Sequence, residues 1–457
     1  MSVLVKDRVF RVGLVHLGCA KNMVDTEVME TVLARRGVSL RKRGFLDAVI
    51  INTCGFIDAA KEESLGEIFR FVELKRKGKV GKILVGGCLS QRYMVELEME
   101  IPEIDKCFKI TDVGRIDEIL MDVMGVGRGG MGIEEKTDLE DLYIERIRGK
   151  GRAWRYLKIT DGCSNHCSYC TIPDIRGPLA SRETKRIVSE FRAMIQKGVS
   201  EVNLVGQDIG SFGKDGARGF ILENLLEELS CHASGDIWLR LLYLHPARIT
   251  EKLVKIIRES PLVLNYLDIP IQHGSTRILE RMNRGYTREY LYELFAMLRT
   301  NLDDLVLRTT VMVGFPGEGL NDFELLLRLI EDVGFERLGG FTYSREEGTP
   351  AWGMVPKVKK NVAISRLEEL ITVQSRISFE KNKRYLGKKA KVLVDAVSRR
   401  EATLTGRYYG QAPEVDGFVT AEYTRPVKEG EFVTVKIDSC DHYDLSGTVI
   451  NEKEIDF

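Results

Sequence analysis

The sequence predicts an α/β protein of three parts: an N-terminal parallel-sheet α/β domain, a central partial (β/α)6 barrel and a C-terminal small antiparallel β-barrel. Three features of the chain predict this architecture. Short apolar runs alternate with amphipathic stretches over residues 8–110, and the same alternation resumes between residues 156 and 343. From residue 385 onward, short β-type runs separated by Gly, Pro and Asp replace the alternation.

The N-terminal stretch has the order of elements that parallel sheets require. Helical periodicity over 23–36 and 58–77 separates three apolar runs, which read VFRVGLVHLG, DAVIINTCG and KILVGGC. Parallel neighbours need a crossover between them, so this alternation predicts a parallel sheet. We place the domain at 8–123, followed by a glycine-rich and then charged linker at 124–152 that is expected to be exposed.

The central stretch, 153–384, contains six strand candidates with helical segments between them. Barrels of this kind carry their chemistry at the carboxyl ends of the strands. A long charged helix over about 361–383 follows, and the tail at 385–457 has the five β-type runs of a small barrel. The strand candidates are WRYLKI, EVNLV, IWLRLL, YLDIPI, LVLRTTVMVG and RLGGFTY, and the tail runs are AKVLVDAV, TLTGRYY, GFVTAEYT, EFVTVKID and LSGTVI.

Composition limits the classes of function. The N-terminus lacks the pattern of a signal peptide, and no apolar run approaches the roughly 18 residues of a membrane span, so we expect a cytoplasmic protein without a membrane partner. Nine cysteines in that compartment favour metal binding or redox chemistry over disulfides. With 68 basic and 68 acidic residues, the chain has no overall cationic field for gripping nucleic acid.

The segment DGCSNHCSYC at 161–170 is the strongest chemical signal in the chain. Cys163, Cys167 and Cys170 can hold a 4Fe-4S cluster and leave its fourth iron open to a substrate or cofactor. Structural zinc normally takes four protein ligands, and His166, directly beside Cys167, converges poorly on the same ion. A cysteine-rich loop without metal is a further alternative. The spacing favours the iron–sulfur cluster.

Cys19, Cys54 and Cys88 each follow an apolar strand candidate of the N-terminal domain. Residues that follow parallel strands share one edge of the sheet, so these thiols are expected to meet and to hold a second 4Fe-4S cluster. The alternative is that they are unrelated core residues, because free cysteine is often buried. A core or incidental position is the default for the remaining three cysteines: Cys107, Cys231 and Cys440.

With Tyr169 just before its last cysteine, the 161–170 motif resembles that of the radical S-adenosylmethionine (SAM) superfamily. The resemblance implies that the open iron chelates S-adenosyl-L-methionine, and that an electron from the cluster cleaves it to a 5′-deoxyadenosyl radical. It also implies a partial six-unit barrel, which the periodicity predicts separately. Tyr169 is therefore a candidate cofactor-binding residue.

Turns after the barrel strands supply weaker candidates for binding the cofactor. Gln207 and Asp208 follow the second strand and are placed to hold its methionine end or ribose, although a simple strand-to-loop turn explains them equally well. Gly314 and Pro316, within VGFPGE, would let the backbone approach a flat ligand such as adenine, but glycine turns are common. Three further residues after the fourth strand are candidates for lining the pocket: Asp268, Gln272 and His273.

Two three-cysteine sites, the barrel and the β-type tail together resemble the radical SAM methylthiotransferases over essentially the full length. The resemblance implies an auxiliary cluster in the N-terminal domain, a TRAM-like β-barrel that contacts the substrate, and SAM as both radical source and methyl donor. No side chain is expected to act as nucleophile or base at the carbon centre. The motifs most similar to the ribosomal, RimO-like branch are LGCAKNMVDTE, NTCGFIDAAKEES, GGCLSQRY, IPDIRGPLASR and APEVDG.

That branch adds a methylthio group to the β-carbon of an aspartate in small-subunit ribosomal protein twelve. The resemblance therefore implies this protein, free or in the ribosome, as a partner, together with an electron donor such as flavodoxin or ferredoxin. Two alternatives are a tRNA methylthiotransferase of the MiaB-like branch and a non-enzymatic ribosome-binding module. The MiaB-like branch has Gln-Met-Asn after its first cysteine, where this chain has Ala20-Lys21-Asn22, and Ala20 also departs from the Pro of the ribosomal branch.

The charge of the tail offers a separate indication of the substrate. Residues 385–457 contain ten Lys or Arg and thirteen Asp or Glu, a net charge of −3. A segment of that sign attracts a basic ribosomal protein better than polyanionic RNA, whose binding depends on neutralising phosphates. A merely solvated acidic surface would have the same composition. The charge thus modestly favours the protein substrate.

Overall fold

The computed structural model describes residues 9–126, 139–146, 152–216, 219–233 and 235–450. They form two compact units. The first contains the described residues before 147 together with Asp161–Ser164 and Thr171–Pro178, and the second contains the others. Both short segments lie within the range that we assigned to the central barrel, so neither unit is contiguous in sequence.

The first unit is built on a five-stranded sheet. Its strands are β1 (Arg11–His16), β2 (Ser39–Leu40), β3 (Leu46–Thr53), β4 (Val80–Gly86) and β5 (Lys106–Cys107). They lie in the order β2-β1-β3-β4-β5, and every pairing is parallel. All eight residues of β3 are buried, as expected for a central strand covered on both faces. The parallel sheet predicted for this part of the chain is confirmed.

Helices α1 (Ala20–Arg35), α2 (Asp58–Arg76) and α3 (Gly87–Glu100) pack on the sheet of the first unit, and α4 (Ile116–Val123), α5 (Leu139–Glu145) and α6 (Ile172–Arg176) pack against α1 or α3. The two predicted helices correspond to α1 and α2. Helix α5 falls in the predicted linker, yet Leu142 is fully buried and the helix packs against α1. This part of 124–152 is therefore not an exposed connection, while residues 127–138 and 147–151 lie outside the described ranges.

The second unit contains a six-stranded sheet in which all pairings are parallel. Each strand corresponds to one of the six predicted apolar runs. The strands are β6 (Trp154–Lys158), β9 (Glu201–Val205), β10 (Trp238–Leu241), β11 (Val263–Asp268), β12 (Val306–Val313) and β13 (Arg337–Thr342), in the order β13-β12-β11-β10-β9-β6; two short strands, β7 (Thr160–Asp161) and β8 (Ala180–Ser181), lie between β6 and β9 in the chain.

Helices alternate with these strands, as a partial barrel requires. They are α7 (Thr184–Gln196), α8 (Leu222–His232), α9 (Glu251–Glu259), α10 (Thr276–Arg281), α11 (Arg288–Asn301), α12 (Leu320–Val333) and α13 (Lys360–Lys383), the last of which is the predicted long charged helix. None of the helices in the described ranges combines the length and apolar character that crossing a bilayer demands.

The tail forms a closed five-stranded barrel in the order β14-β15-β16-β18-β17. Its strands are β14 (Lys389–Ser398), β15 (Thr403–Tyr408), β16 (Val419–Glu422), β17 (Phe432–Cys440) and β18 (Leu445–Val449). We expected antiparallel pairing throughout, and four pairings are antiparallel, but β16 and β18 are parallel. Strand directions cannot alternate around a ring with an odd number of strands, so one parallel pair is unavoidable.

Buried charges join this barrel to the six-stranded sheet within the second unit. Glu201, at the start of β9, bonds Arg240 of β10 and Arg407 of β15, and the carboxylate is completely buried. From the loop after β15, Asp416 accepts a hydrogen bond of 2.7 Å from the hydroxyl of Tyr266. The loop with the APEVDG motif thus contacts the interior of the sheet.

Candidate metal centres

Three cysteines lie at the carboxyl edge of the first sheet. Cys19 is the N-cap of α1, Cys54 directly follows β3, and Cys88 is the second residue of α3 after β4. The thiols are close enough to affect each other's ionisation, since Cys19 acts on Cys54, and both act on Cys88. The structure therefore brings together the three residues that the sequence placed at one edge.

Glycines make this close approach of the turns possible. Gly18 (φ +91°) precedes Cys19, and a Cβ at this position would lie 2.7 Å from the Cβ and 3.0 Å from the Sγ of Cys54. At Gly87 (φ +89°), a Cβ would lie 2.3 Å from the carbonyl oxygen of Thr53. Both positions combine a backbone conformation that favours glycine with a lack of room for any side chain.

Side-chain amides fix the strand ends against α1. The Nδ2 of Asn22 donates to the carbonyl oxygens of Leu17 (3.1 Å) and Thr53 (2.9 Å). The Nδ2 of Asn52 in turn donates to the carbonyl oxygen of Asn22 and to the hydroxyl of Thr26, both at 2.9 Å. These buried bonds hold the turns that carry Cys19 and Cys54 in one arrangement.

Arg176, which the sequence analysis did not single out, reaches the same edge. Its guanidinium donates to Asn22 Oδ1 (2.6 Å) and Asp25 Oδ2 (3.0 Å), and its Nη2 lies 3.8 Å from the sulfur of Cys88. Its Nη1 donates to both carboxylate oxygens of Asp161 at 3.1 Å. The only available signal was its place in IPDIRGPLASR, because nothing in the sequence indicated that this segment folds with the first unit.

The surroundings shift the ionisation of the three thiols in different directions. Burial opposes ionisation of Cys19, but Lys21, Arg176 and the backbone N–H groups of Asn22 and Lys21 outweigh it, so the pKa of Cys19 is lowered. Burial raises the pKa of Cys54, and it raises that of Cys88 to about 11. Metal ligands must be thiolates. The site thus contains one thiol whose pKa is lowered and two whose pKa values are raised.

The loop with the second cysteine set is divided between the units. Cys163 belongs to the first, where its N–H donates to the carbonyl oxygen of Gly177 at 3.1 Å. Cys167 and Cys170 belong to the second and pack at the edge of an apolar cluster that contains Tyr169. The 161–170 motif gave no indication of this division.

Arg284 is the main polar neighbour of this loop in the second unit. Its Nη1 lies 3.2 Å from the sulfur of Cys167. The loop is also held by its backbone, because the N–H of Ser168 donates to the carbonyl oxygen of Met282 and the carbonyl oxygen of His166 accepts from Asn283. His166 therefore takes part in these contacts through its backbone carbonyl.

The predicted cofactor-binding residues lie in the second unit. Asp208 accepts hydrogen bonds from Asn165 (2.9 Å) and Ser211 (2.7 Å), so its carboxylate is fixed beside the cysteine loop, and Gln207 precedes it in the turn after β9. Tyr169 is 8% exposed and packs edge to face on Phe315, with ring centroids 6.4 Å apart. Asp208 follows β9 and Phe315 follows β12, so the loop is contacted from the ends of two strands.

The VGFPGE turn after β12 is tightly constrained. Gly314 has φ +78°, and a Cβ there would lie 2.5 Å from the Cβ of Ala363. The N–H groups of Gly314 and Phe315 donate to Glu318, while the carbonyl oxygen of Pro316 accepts from Arg281 at 3.0 Å. Packing within the protein thus already requires glycine at 314, whether or not a ligand approaches.

The three weaker pocket candidates have structural contacts. Asp268 is paired with Arg308 at 3.0 Å, and Gln272 bridges to β12 through its backbone. His273 is completely buried, its Nδ1 accepts from the N–H of Ser275 at 2.9 Å, and its Nε2 lies 3.5 Å from Glu318. For His273, the contacts are those of a hydrogen-bonded core residue.

All nine cysteines are free thiols. Cys107 lies in the core of the first sheet, Cys231 is exposed and Cys440 is partly buried, which agrees with the default that we assigned to these three. Within the described ranges, no three His, Cys, Asp or Glu side chains are arranged around a single metal ion. The same finding covers both cysteine sets, so it does not distinguish a zinc site from an iron–sulfur site at 161–170.

Comparison with known proteins identifies the family. Residues 11–109 match the uncharacterized protein family UPF0004, residues 157–330 the Radical SAM superfamily and residues 386–450 the TRAM domain. The ribosomal protein uS12 methylthiotransferase RimO of Acetivibrio thermocellus is 41% identical over 450 residues, which cover 97% of this chain and 99% of that protein. The chain belongs to the RimO family of methylthiotransferases.

Other relatives agree with the RimO assignment. Proteins of the same name from Geobacter sulfurreducens and Clostridioides difficile are 40% and 39% identical, covering 96% and 97% of this chain and 99% of each relative. Among solved structures, the radical SAM methyltransferase TsrM from Kitasatospora setae matches 85% of this chain and 79% of its own, with a TM-score of 0.53 and 15% identity. At that identity, the likeness concerns the fold.

As a RimO family member, the protein is a radical SAM methylthiotransferase, an enzyme that uses S-adenosyl-L-methionine and two 4Fe-4S clusters. The residues present fit such groups. Thiolates are the usual ligands of iron–sulfur clusters, and both cysteine sets have a buried arginine within 4 Å of a sulfur, at 3.8 Å for Arg176 and 3.2 Å for Arg284. Cationic neighbours of this kind suit anionic clusters.

Proposed function

We propose that this chain adds a methylthio group to the β-carbon of an aspartate in small-subunit ribosomal protein uS12. The observation that carries the proposal is the 41% identity, over 97% of the chain, with a protein named for modifying uS12. The net charge of −3 over 385–457 supports it, since an acidic β-barrel suits a basic ribosomal protein.

We assign the cysteines as follows. Cys19, Cys54 and Cys88 hold the auxiliary cluster, and Cys163, Cys167 and Cys170, which lie on one short loop, hold the cluster that binds SAM. With these groups bound, the cofactors supply hydrogen abstraction from an unactivated carbon and transfer of the methylthio group, chemistry beyond the reach of side-chain acids and bases. The proposed residues for holding SAM are Tyr169, Gln207, Asp208, Gly314 and Pro316.

The side chains of this protein would bind and orient the cofactors and the substrate, and they would keep water out of the site. Arg176 balances thiolate charge at the auxiliary site, because it lies beside Cys88 and lowers the pKa of Cys19. The packing of Tyr169 on Phe315 keeps the VGFPGE turn against the second cysteine loop and limits the entry of water from that side. No side chain of the chain is assigned a proton transfer at the reacting carbon.

We further propose a low-potential electron donor of the flavodoxin or ferredoxin type, and a cytoplasmic location. Reduction of the cluster requires an external electron, which small proteins of this kind supply. The nine free cysteines suit a compartment in which thiols stay reduced. These partners follow from the proposed chemistry.

A mass measurement tests the substrate. The purified, anaerobically reconstituted protein is incubated with SAM and reductant together with free uS12, intact small subunits or tRNA. We expect uS12, free or in the subunit, to gain the mass of one methylthio group, and a uS12 variant lacking the target aspartate to gain none. A gain on tRNA alone would refute the proposed substrate, and failure to cleave SAM in any mixture would favour a ribosome-binding module.

A further inference from the structure

Arg284 is a buried cation that has no carboxylate partner among the residues that the structure describes. It is 7% exposed, its Nε donates to the hydroxyl of Tyr286 at 2.8 Å, and its Nη2 donates to the carbonyl oxygen of Pro270 at 3.0 Å. Its Nη1 faces the sulfur of Cys167 at 3.2 Å. Tyr169, Tyr286 and Cys167 are among the ionisable groups that act on it. Arg284 in turn helps to lower the pKa of His245.

Such a charge needs a counter-charge, because burying an unpaired ion is unfavourable. The hydroxyl of Tyr286 does not supply it, because it donates its proton to the carbonyl oxygen of Ile271 and therefore meets the guanidinium as a neutral acceptor. Cys167 remains as the group that becomes anionic when it binds metal. The position of Arg284 is therefore explained by a thiolate at 167.

The guanidinium is also fixed in direction. Each of its three nitrogens faces a different group, and the hydroxyl of Tyr286 donates onward to the carbonyl oxygen of Ile271 at 3.0 Å. A planar guanidinium held at two nitrogens cannot turn its third away. The N–H group that points at Cys167 is thus set by the fold.

Arg176 provides the contrast. It also lies near a thiol, but Asp25 and Asp161 pair with it at 3.0 and 3.1 Å, so its charge is shared between two carboxylates and the thiols. Arg284 has no carboxylate partner in the described ranges, and its Nη1 faces the sulfur of Cys167.

We propose that Arg284 is a positioning residue that raises the reduction potential of the SAM-binding cluster by donating to the sulfur of Cys167. The inference rests on the proposed role of Cys167 as a ligand of that cluster. Hydrogen bonds to cluster sulfurs and nearby positive charge stabilise the reduced state, which carries one more electron. Without the guanidinium, the cluster would be harder to reduce.

A redox titration tests this role. In a full-length parent with Cys19, Cys54 and Cys88 replaced by Ala, only the SAM-binding cluster is loaded, and its reduction is followed by electron paramagnetic resonance. We expect Arg284→Gln to shift the potential to a more negative value and Arg284→Lys, which keeps the charge but not the planar donor, to shift it less. Arg288→Gln, which removes a partly exposed arginine paired with Glu289, is the matched control and should leave the potential unchanged.

The outcomes separate the inference from the proposed function. Iron and sulfide are measured first, and a parent that binds no cluster overturns both. A loaded parent whose potential is the same in Arg284→Gln overturns the role of Arg284 alone. If Arg284→Gln does not fold, Tyr286→Phe removes the hydroxyl that fixes Nε, and a potential equal to that of the parent in both Tyr286→Phe and Arg284→Lys overturns the inference.

Discussion

Cys88 and Cys231 carry the same thiol in opposite surroundings. Cys88 is buried at the sheet edge beside two other thiols and Arg176, whereas Cys231 is exposed on α8. Comparing these two cysteines shows how neighbouring residues affect the ability of a thiol to bind a cluster.

Replacing Cys88 by Ala should remove one cluster and leave the other. After anaerobic reconstitution, we expect iron to fall from about eight to about four per chain, since each cluster holds four irons. Cys231→Ala should keep about eight. Equal iron in Cys88→Ala and the unaltered protein would exclude Cys88 as a ligand.

His245 is kept neutral by its surroundings. Burial lowers its pKa to about 2, and the cations Arg284, Arg248 and Lys214 add to the effect. The Nδ1 of the neutral ring accepts a hydrogen bond of 3.3 Å from the N–H of Ala247. A histidine in an unfolded chain has a pKa of about 6.5, so acid favours the unfolded state at this residue.

The free energy of unfolding should therefore fall as the pH drops below about 6.5, by at most about 1.4 kcal/mol per pH unit from this residue. His245→Asn keeps an acceptor for Ala247 but does not titrate, so its stability should fall less between about pH 6.5 and 5. Urea denaturation across that range measures the slopes, and His232→Asn, on the surface of α8, is the control. Identical slopes for His245→Asn and the unaltered protein would contradict the assignment.

Among the elements, the turn from β1 to α1 is a tightly constrained part of the auxiliary site. It contains Gly18, whose missing side chain leaves the space that the thiol of Cys54 occupies. Gly37, just after α1, has a similar backbone angle (φ +70°), but no atom lies within 4 Å of the position that a Cβ would take there. Alanine at Gly37 would therefore test the effect of backbone strain alone, and alanine at Gly18 would test strain together with crowding.

Gly18→Ala should prevent loading of the auxiliary cluster. Because the added methyl group would displace Cys54, we expect iron near four per chain, while Gly37→Ala, which carries only the backbone strain, should retain about eight. Iron and sulfide analysis decides between them. Full loading of Gly18→Ala would show that the turn can open without cost to the site.

Helices and strands were predicted correctly where the hydrophobic period continued over several residues. The six strands of the central sheet and α1, α2 and α13 each span enough residues to show a period, so the sequence identified them. Strands β2 and β5 have two residues each, too few for any alternation. The parallel pairing of β16 and β18 arises because the barrel closes with an odd number of strands. The sequence of one strand alone does not show how the barrel closes.

At the scale of the whole molecule, the closed barrel of the tail is held to the six-stranded sheet by buried charge. Arg407 pairs with Glu201 and with Asp395, and its side chain is 5% exposed. Burial opposes ionisation of Glu201, but Arg407 and Arg240 outweigh it and lower its pKa. The carboxylate thus stays charged although no water reaches it.

Arg407→Ala should destabilise the protein by about 3 kcal/mol or more, because it breaks a buried ion pair and removes one of the two cations that compensate Glu201. Arg425→Ala removes a more exposed pair with Glu431 on the same barrel and should cost at most about 1 kcal/mol. Chemical denaturation compares the two. Similar losses for both variants would mean that water screens the Glu201 network.

Chain order allowed part of the candidate sites to be predicted. The proximity of Cys19, Cys54 and Cys88 was predictable because each follows a recognisable strand, and parallel strands end at one edge. Arg176 and Arg284 were missed because their contacts depend on which distant segment they meet. The role of Asp208 in binding the cofactor stays a prediction from its place after β9, and its bond to Asn165 was not predictable from spacing.

The first unit also requires residues that are far away in the chain. Arg176, which neutralises Asp25 of α1, is synthesised about 150 residues after it. Domains generally fold from the N-terminus as they leave the ribosome, but the ion pair between Arg176 and Asp25 cannot form until residue 176 has been made. The first unit is therefore completed only after a short helix from the range of the next domain has followed it out of the ribosome.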